Sequence, residues 1–181
     1  MTGRRTIMPK LTLGGLVTPA RVIPRLKAHY KAQVIRDLAL AASSMACLSE
    51  NVVVGAMAAC ANSPSFGPAR RVAIPHAMVA GIDKPLGIFA RLHPAIEFNA
   101  VDDEPVDLVL LMLGPEGSPG TLLRAMACGA RRLRDRAVCE RLRCAHDAEA
   151  MHAILSSDSW RAPEACSGRL SPPGGSGVVP S

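Results

Sequence analysis

Apolar positions along this chain repeat with two different periods. Between residues 31 and 46 they fall at Val34, Ile35, Leu38, Ala42 and Met45, which makes one face of a helix apolar. Ser49-Glu50 can open a second helix over about 50–61, carrying Val52, Val53, Ala56, Met57 and Cys60. The run Asn62-Ser-Pro-Ser-Phe-Gly-Pro68 then breaks any regular structure. Beyond it the pattern turns strand-like. Arg71-Val-Ala-Ile74 reads as a short strand and Leu86-Gly-Ile-Phe-Ala-Arg-Leu92 as a second. After a turn at Asp102-Asp-Glu-Pro105, the stretch from Val106 to Leu113 is almost continuously apolar, as suits a central strand covered on both faces. Gly114-Pro-Glu-Gly-Ser-Pro-Gly120 is a loop. A long helix follows, with Leu122, Leu123, Met126, Ala130 and Leu133 on one face, and then two shorter helices over about 135–144 and 147–156. Helices on both sides of a small sheet predict an α/β layer fold.

The two ends lack such a period. Residues 1–15 carry Gly3, Pro9, Gly14 and Gly15 and read as a loose segment. Residues 159–181 are rich in Pro, Gly and Ser and are expected to be a disordered tail. The folded domain is expected over 16–158, which fits a single core in a chain of 181 residues.

Composition narrows the class. Apolar residues make up 49% and charged residues 20%, as in ordinary globular proteins. Aromatics are only 3%, so the core must be aliphatic, and stacking platforms for single-stranded nucleic acid are not expected. The longest apolar run, Val52 to Ala61, is too short to span a bilayer, and no secretory signal follows the basic N-terminus. The reading is a cytoplasmic protein without membrane insertion. Six cysteines occur with no Cys-x-x-Cys pair and no zinc-type spacing, so reduced thiols and no metal are expected.

The net charge is +6, and arginine supplies most of the excess. Arg131, Arg132, Arg134, Arg136, Arg141 and Arg143 face only Asp135 and Glu140 within that stretch. Such a stripe can attract nucleic acid or an acidic surface. No DNA-binding motif frames it, so the preferred reading is a solvated helix face.

Among five histidines, His76 stands apart. It closes the short strand as Val72-Ala-Ile-Pro-His76, and Pro75 stiffens the chain just before it. The expected result is an elbow that presents the imidazole at the rim of the sheet. A neutral imidazole is a nucleophile near pH 7, and a phosphoryl group on it would need N–H donors or a helix N-terminus aimed at its oxygens. The helix start near Gly120-Thr121 can supply them. A buried structural histidine remains the alternative reading. His93, beside Pro94, is expected in an exposed hairpin loop. Asp102 reads as a turn residue and Asp107 as a structural hydrogen-bond partner.

Arg71-Val-Ala-Ile-Pro-His76-Ala, followed by Gly81-Ile-Asp-Lys-Pro-Leu-Gly87, resembles the phosphorylation-site region of phosphotransferase-system enzyme IIA domains of the fructose/mannitol type (type 2). The nitrogen-regulatory branch fits best. Ile96-Glu-Phe98 through Asp107-Leu-Val109 and Leu113-Gly-Pro115-Glu116 resemble the family's central-strand region. Leu133-Arg-Asp135, Arg141-Leu-Arg and the helix to Ile154-Leu155 extend the likeness to roughly 17–157. The resemblance implies a small mixed β-sheet flanked by helices on both faces. It implies that His76 accepts a phosphoryl group from a histidine phosphocarrier protein, and that the phosphorylation state governs binding to regulatory protein targets. No cofactor is implied.

One loop and three positions depart from the family pattern. Only Ser65 and Gly67 fit its glycine-rich loop, Cys60 stands where the family has an arginine, Ala61 where an acidic residue is common, and Leu122 where it has a second histidine. Arg70, Arg71, Thr121 and Ser65 are the candidate groups to steady a phosphoryl group instead. Adjacent strand residues point to opposite faces, so at most one of the two arginines should face the site. A protein-binding module that no longer takes phosphate is the competing reading.

Overall fold

A computed structural model describes residues 11–62, 67, 71–99 and 103–157. The expected α/β architecture is present: a mixed five-stranded sheet with helices on both faces. The strands are β1 (Val22–Leu26), β2 (Val72–Ala73), β3 (His76–Val79), β4 (Leu86–Ile96) and β5 (Val106–Pro115). β1 runs parallel to β4, β4 antiparallel to β5, and both β2 and β3 pair parallel with β5. The helices are α1 (Leu13–Leu16), α2 (Lys31–Ala46), α3 (Glu50–Asn62), α4 (Pro119–Leu133), α5 (Arg136–Cys144) and α6 (Ala148–Ser156).

β5 is the spine, buried along its whole length. Leu108, Leu110 and Met112 join a core with α1, α4, α5 and α6. Val109, Leu111 and Leu113 join the core on the other face with α2 and α3. The near-continuous apolar run read from the sequence is the signature of this two-sided burial. Asp135 and Asp147 fix where α5 and α6 begin, because their carboxylates accept backbone N–H groups of the first turns. α4 lies close on β5 because two glycines leave room for it. A Cβ on Gly114 would stand 2.6 Å from Leu122 Cβ, and one on Gly129 2.6 Å from a Leu110 methyl.

Four expectations need correction. His76 does not end a strand. β2 and β3 lie in line along the same edge of β5, and the break between them is Ile74-Pro75, where proline has no N–H for the ladder. His76 therefore opens the second segment. His93 and Pro94 lie within β4 rather than in a hairpin loop. The β4–β5 register shifts between Arg91 and Ile96, and such an irregularity accommodates a proline in a strand. Leu123 is 67% exposed, while Leu122, Ala125, Gly129, Ala130 and Leu133 form the buried face of α4. Lastly, the chain joins the core before residue 16: Leu13 is buried in α1, whose first turn Thr12 caps through its hydroxyl. The segments 1–10 and 158–181 lie outside the described residues.

Candidate functional site

His76 is half-buried at the first position of β3. It pairs with Met112 of β5, whose side chain lies on the α4 face, so the imidazole lies on that face as well. The alternation supports this, since Ala77 and Val79 belong to the opposite core. Its backbone is fixed from two sides. Met112 N–H donates to Pro75 C=O at 2.9 Å, and the Cys60 thiol donates to His76 C=O at 3.0 Å.

The ring is oriented too. His76 Nδ1 lies 3.1 Å from the Ile74 carbonyl oxygen. A carbonyl only accepts, so Nδ1 carries the proton and Nε2 carries the lone pair. The Pro75 elbow thus does two things: it breaks the strand and turns the Ile74 carbonyl to the imidazole two residues on.

The start of α4 stands close by. Leu122 packs over Gly114, which lies two residues, roughly 7 Å, along β5 from Met112. Thr121 sits in the first turn, its N–H on Ser118 C=O and its hydroxyl 3.5 Å from Arg124 Nη2. The positive end of the helix dipole therefore points toward the rim of the sheet on the imidazole's side. Leu122 itself is buried in the apolar cluster and offers no polar group. Met78, on the same face two residues beyond His76, is 46% exposed.

Arg71 is not brought to this rim. Its backbone is left-handed, with φ of 65°, and its guanidinium lies 2.6 Å from Asp107. Asp107 sits near the start of β5, five residues and roughly 16 Å from the level of His76. Arg143 also grips Asp107, through two hydrogen bonds of 2.9 Å. Asp107 is thus the structural partner it was read to be. Arg70, Ser65 and Asp102 lie outside the described residues.

Two charged residues near the core were not singled out by sequence reasoning. Lys31 is 8% exposed, with its ammonium 5.5 Å from the Phe98 ring centroid. Burial lowers its pKa below the usual lysine value, while the neighbouring Cys60 acts in the opposite sense. The signal was available, because Lys31 falls three and four residues before Val34 and Ile35 on the inner face of α2. Arg91 is the other. It interrupts an apolar strand and donates to Pro24 C=O and to the carbonyls of Leu142, Arg143 and Ala145 at the end of α5. None of the described residues group into a cluster able to hold a metal, and no described helix is long and apolar enough to cross a membrane.

The chain matches a family model described as "Phosphoenolpyruvate-dependent sugar phosphotransferase system, EIIA 2" over residues 16–158. It is 36% identical to a nitrogen regulatory protein of Bradyrhizobium diazoefficiens over 141 residues, covering 78% of this chain and 92% of that protein. It is 29% identical to the nitrogen regulatory protein of Escherichia coli K12, covering 78% and 87%. Its fold superposes on the crystal structure of nitrogen regulatory protein IIA-Ntr from Neisseria meningitidis with a TM-score of 0.72 at 26% identity, covering 79% and 98%. The E. coli IIA mannitol structure shares the fold at a TM-score of 0.63 and 17% identity, covering 77% and 98%.

Proposed function

Since this chain belongs to the EIIA type 2 family of the phosphoenolpyruvate-dependent sugar phosphotransferase system, in its nitrogen-regulatory branch, we propose that it is a cytoplasmic regulatory phosphocarrier loaded on His76. The observation that carries this reading is the Nδ1 hydrogen bond to Ile74, which leaves the Nε2 lone pair to attack phosphorus. The donor is the phosphohistidine of a histidine phosphocarrier protein. As the new Nε2–P bond forms, the donor's N–P bond breaks and its electron pair returns to the donor imidazole. The proton stays on Nδ1, donated to the Ile74 carbonyl, and that hydrogen bond fixes the charged ring of the product. In-line approach supplies much of the rate. The first turn of α4 with Thr121, together with Ser65 and Arg70, steadies the phosphoryl oxygens. Arg71 is engaged elsewhere and drops out of this set. The charge on His76 then governs which regulatory protein targets bind.

The test is phosphoryl transfer from phosphoenolpyruvate through the general phosphotransferase enzyme and the histidine phosphocarrier protein. An acid-labile phosphate adduct in the intact mass, absent from His76→Ala, is the expected result. No adduct with any histidine phosphocarrier that loads a control enzyme IIA would overturn the reading. One observation favours a contact-only module instead: Leu122 fills the start of α4 with an apolar side chain where the family has a second histidine. A failed transfer would make that module the better account.

A further inference from the structure

At the end of β5 remote from His76 lies a pocket of about 540 Å³. Its charged lining is Arg25, Arg71, Arg91 and Arg143 against the single carboxylate of Asp107, a net charge of +3. His93 and His146 stand exposed at its rim. The arginines come from four separate segments: β1, the turn before β2, β4 and α5. The fold therefore gathers like charges that repel one another, and the one buried carboxylate is shared by two of them.

These four guanidinium groups are not equivalent. Arg143 is held by Asp107 and Glu140, and Arg71 by Asp107. The hydrogen bonds of Arg91 go to backbone carbonyls, which orient its guanidinium without neutralising its charge. Arg25 is exposed and makes no hydrogen bond or ion pair with the described residues. Fixed forks beside an exposed, unengaged one make a largely preorganised anion receptor. A cavity lined by one sign of charge also concentrates its potential. A single phosphate dianion would leave most of the volume empty and about one of the three positive charges unmatched. A chain of linked phosphates, with charge of three or more spread over oxygens that accept from the guanidinium forks, matches both.

We propose that this pocket binds a polyphosphate group, either free or carried on a nucleoside. The site is separate from His76 and independent of its phosphorylation.

The test is calorimetric titration of the full chain at low ionic strength with sodium tripolyphosphate, a nucleoside triphosphate and citrate. Tripolyphosphate is expected to bind one per chain. Arg25→Glu and, separately, His146→Glu are each expected to weaken it at least tenfold. Arg36→Glu, which makes the same charge change on the exposed side of α2, is expected to weaken it less than twofold. His76→Ala is expected to bind as the unaltered chain does. Equal affinity for the free and nucleoside-borne phosphates supports recognition of the phosphate chain alone, and tighter nucleotide binding supports a nucleoside-borne ligand. Citrate binding as tightly as tripolyphosphate, equal weakening by Arg36→Glu and Arg25→Glu, or no binding of either phosphate would each overturn the proposal.

Discussion

Asp107 is 6% exposed and faces two arginines that are not equally dependent on it. The Arg71 side chain is 44% exposed and water can take over its solvation, whereas that of Arg143 is 18% exposed. Removing one partner from a buried ion pair strands the other, which costs about 3–5 kcal/mol, while an exposed pair contributes about 1 kcal/mol or less. Asp107→Ala is therefore expected to lower unfolding free energy in urea by about 3 kcal/mol or more, and Arg71→Ala by about 1 kcal/mol or less. Cys139 obeys a different logic. Burial pushes its thiol up to about 11, with Arg143 opposing the shift, from an ordinary 9.0. Alkylation at mild alkaline pH is expected to label the exposed Cys47 and Cys144 well before Cys139. The unfolded thiol ionises first, so the stability contributed by the protonated form is intact below pH 9.0 and is lost as pH rises toward about 11. The stability gap between the native chain and Cys139→Ala, measured in urea at several pH values, is expected to narrow across that window. At this scale the structural role of Asp107 was legible from residue type and position, whereas the place of His76 at the start of β3 was not. The engagement of Arg71 was not, because strand alternation gives a face but not the left-handed backbone that turns it toward Asp107.

Among the elements, α4 and β5 show how closely a helix can be set on a strand. Leu122 occupies the space that a Cβ on Gly114 would need. Leu122 Cβ is close to the helix backbone and cannot swing away as a chain end can. Gly114→Ala is expected to lower stability by about 1–3 kcal/mol, the usual range for overpacking, and to cost less in a Leu122→Gly chain, where the opposing Cβ is gone. Additive losses in the double-mutant cycle would contradict this account. The elements themselves were readable where the apolar period is clear, as for α2, or where a capping residue marks the start, as for α5 with Asp135 and α6 with Asp147. They were less readable where burial comes from contacts distant in sequence. Leu123 suits the apolar stripe of α4 on paper, yet the described residues leave it exposed. The buried apolar run of β4 gives way to exposed His93 and Pro94, which hid the rest of the strand beyond a shifted register.

For the molecule as a whole, β5 joins the two cores, so damage to either side of it is damage to both. Leu111→Ala is expected to destabilise by about 2–5 kcal/mol and to leave a single transition in urea, whereas Leu123→Ala is expected to change stability by less than about 0.5 kcal/mol. Superimposable unfolding curves from circular dichroism and hydrogen exchange would check this. The sheet and its helices were foreseeable from the chain's pattern, but the arginine pocket was not, because it gathers residues as far apart as Arg25 and Arg143. One feature of the mount beneath the imidazole bears on how such a protein speaks to others. The Cys60 thiol, the β5 ladder and the Ile74 carbonyl together hold His76 in place. On the proposed function, loading that ring leaves its strand where it was and alters only the voltage around it. A target then reads electrical sign rather than shape. Added electrolyte, which mutes sign beyond about 8 Å at physiological strength, would mute the message while leaving the messenger folded.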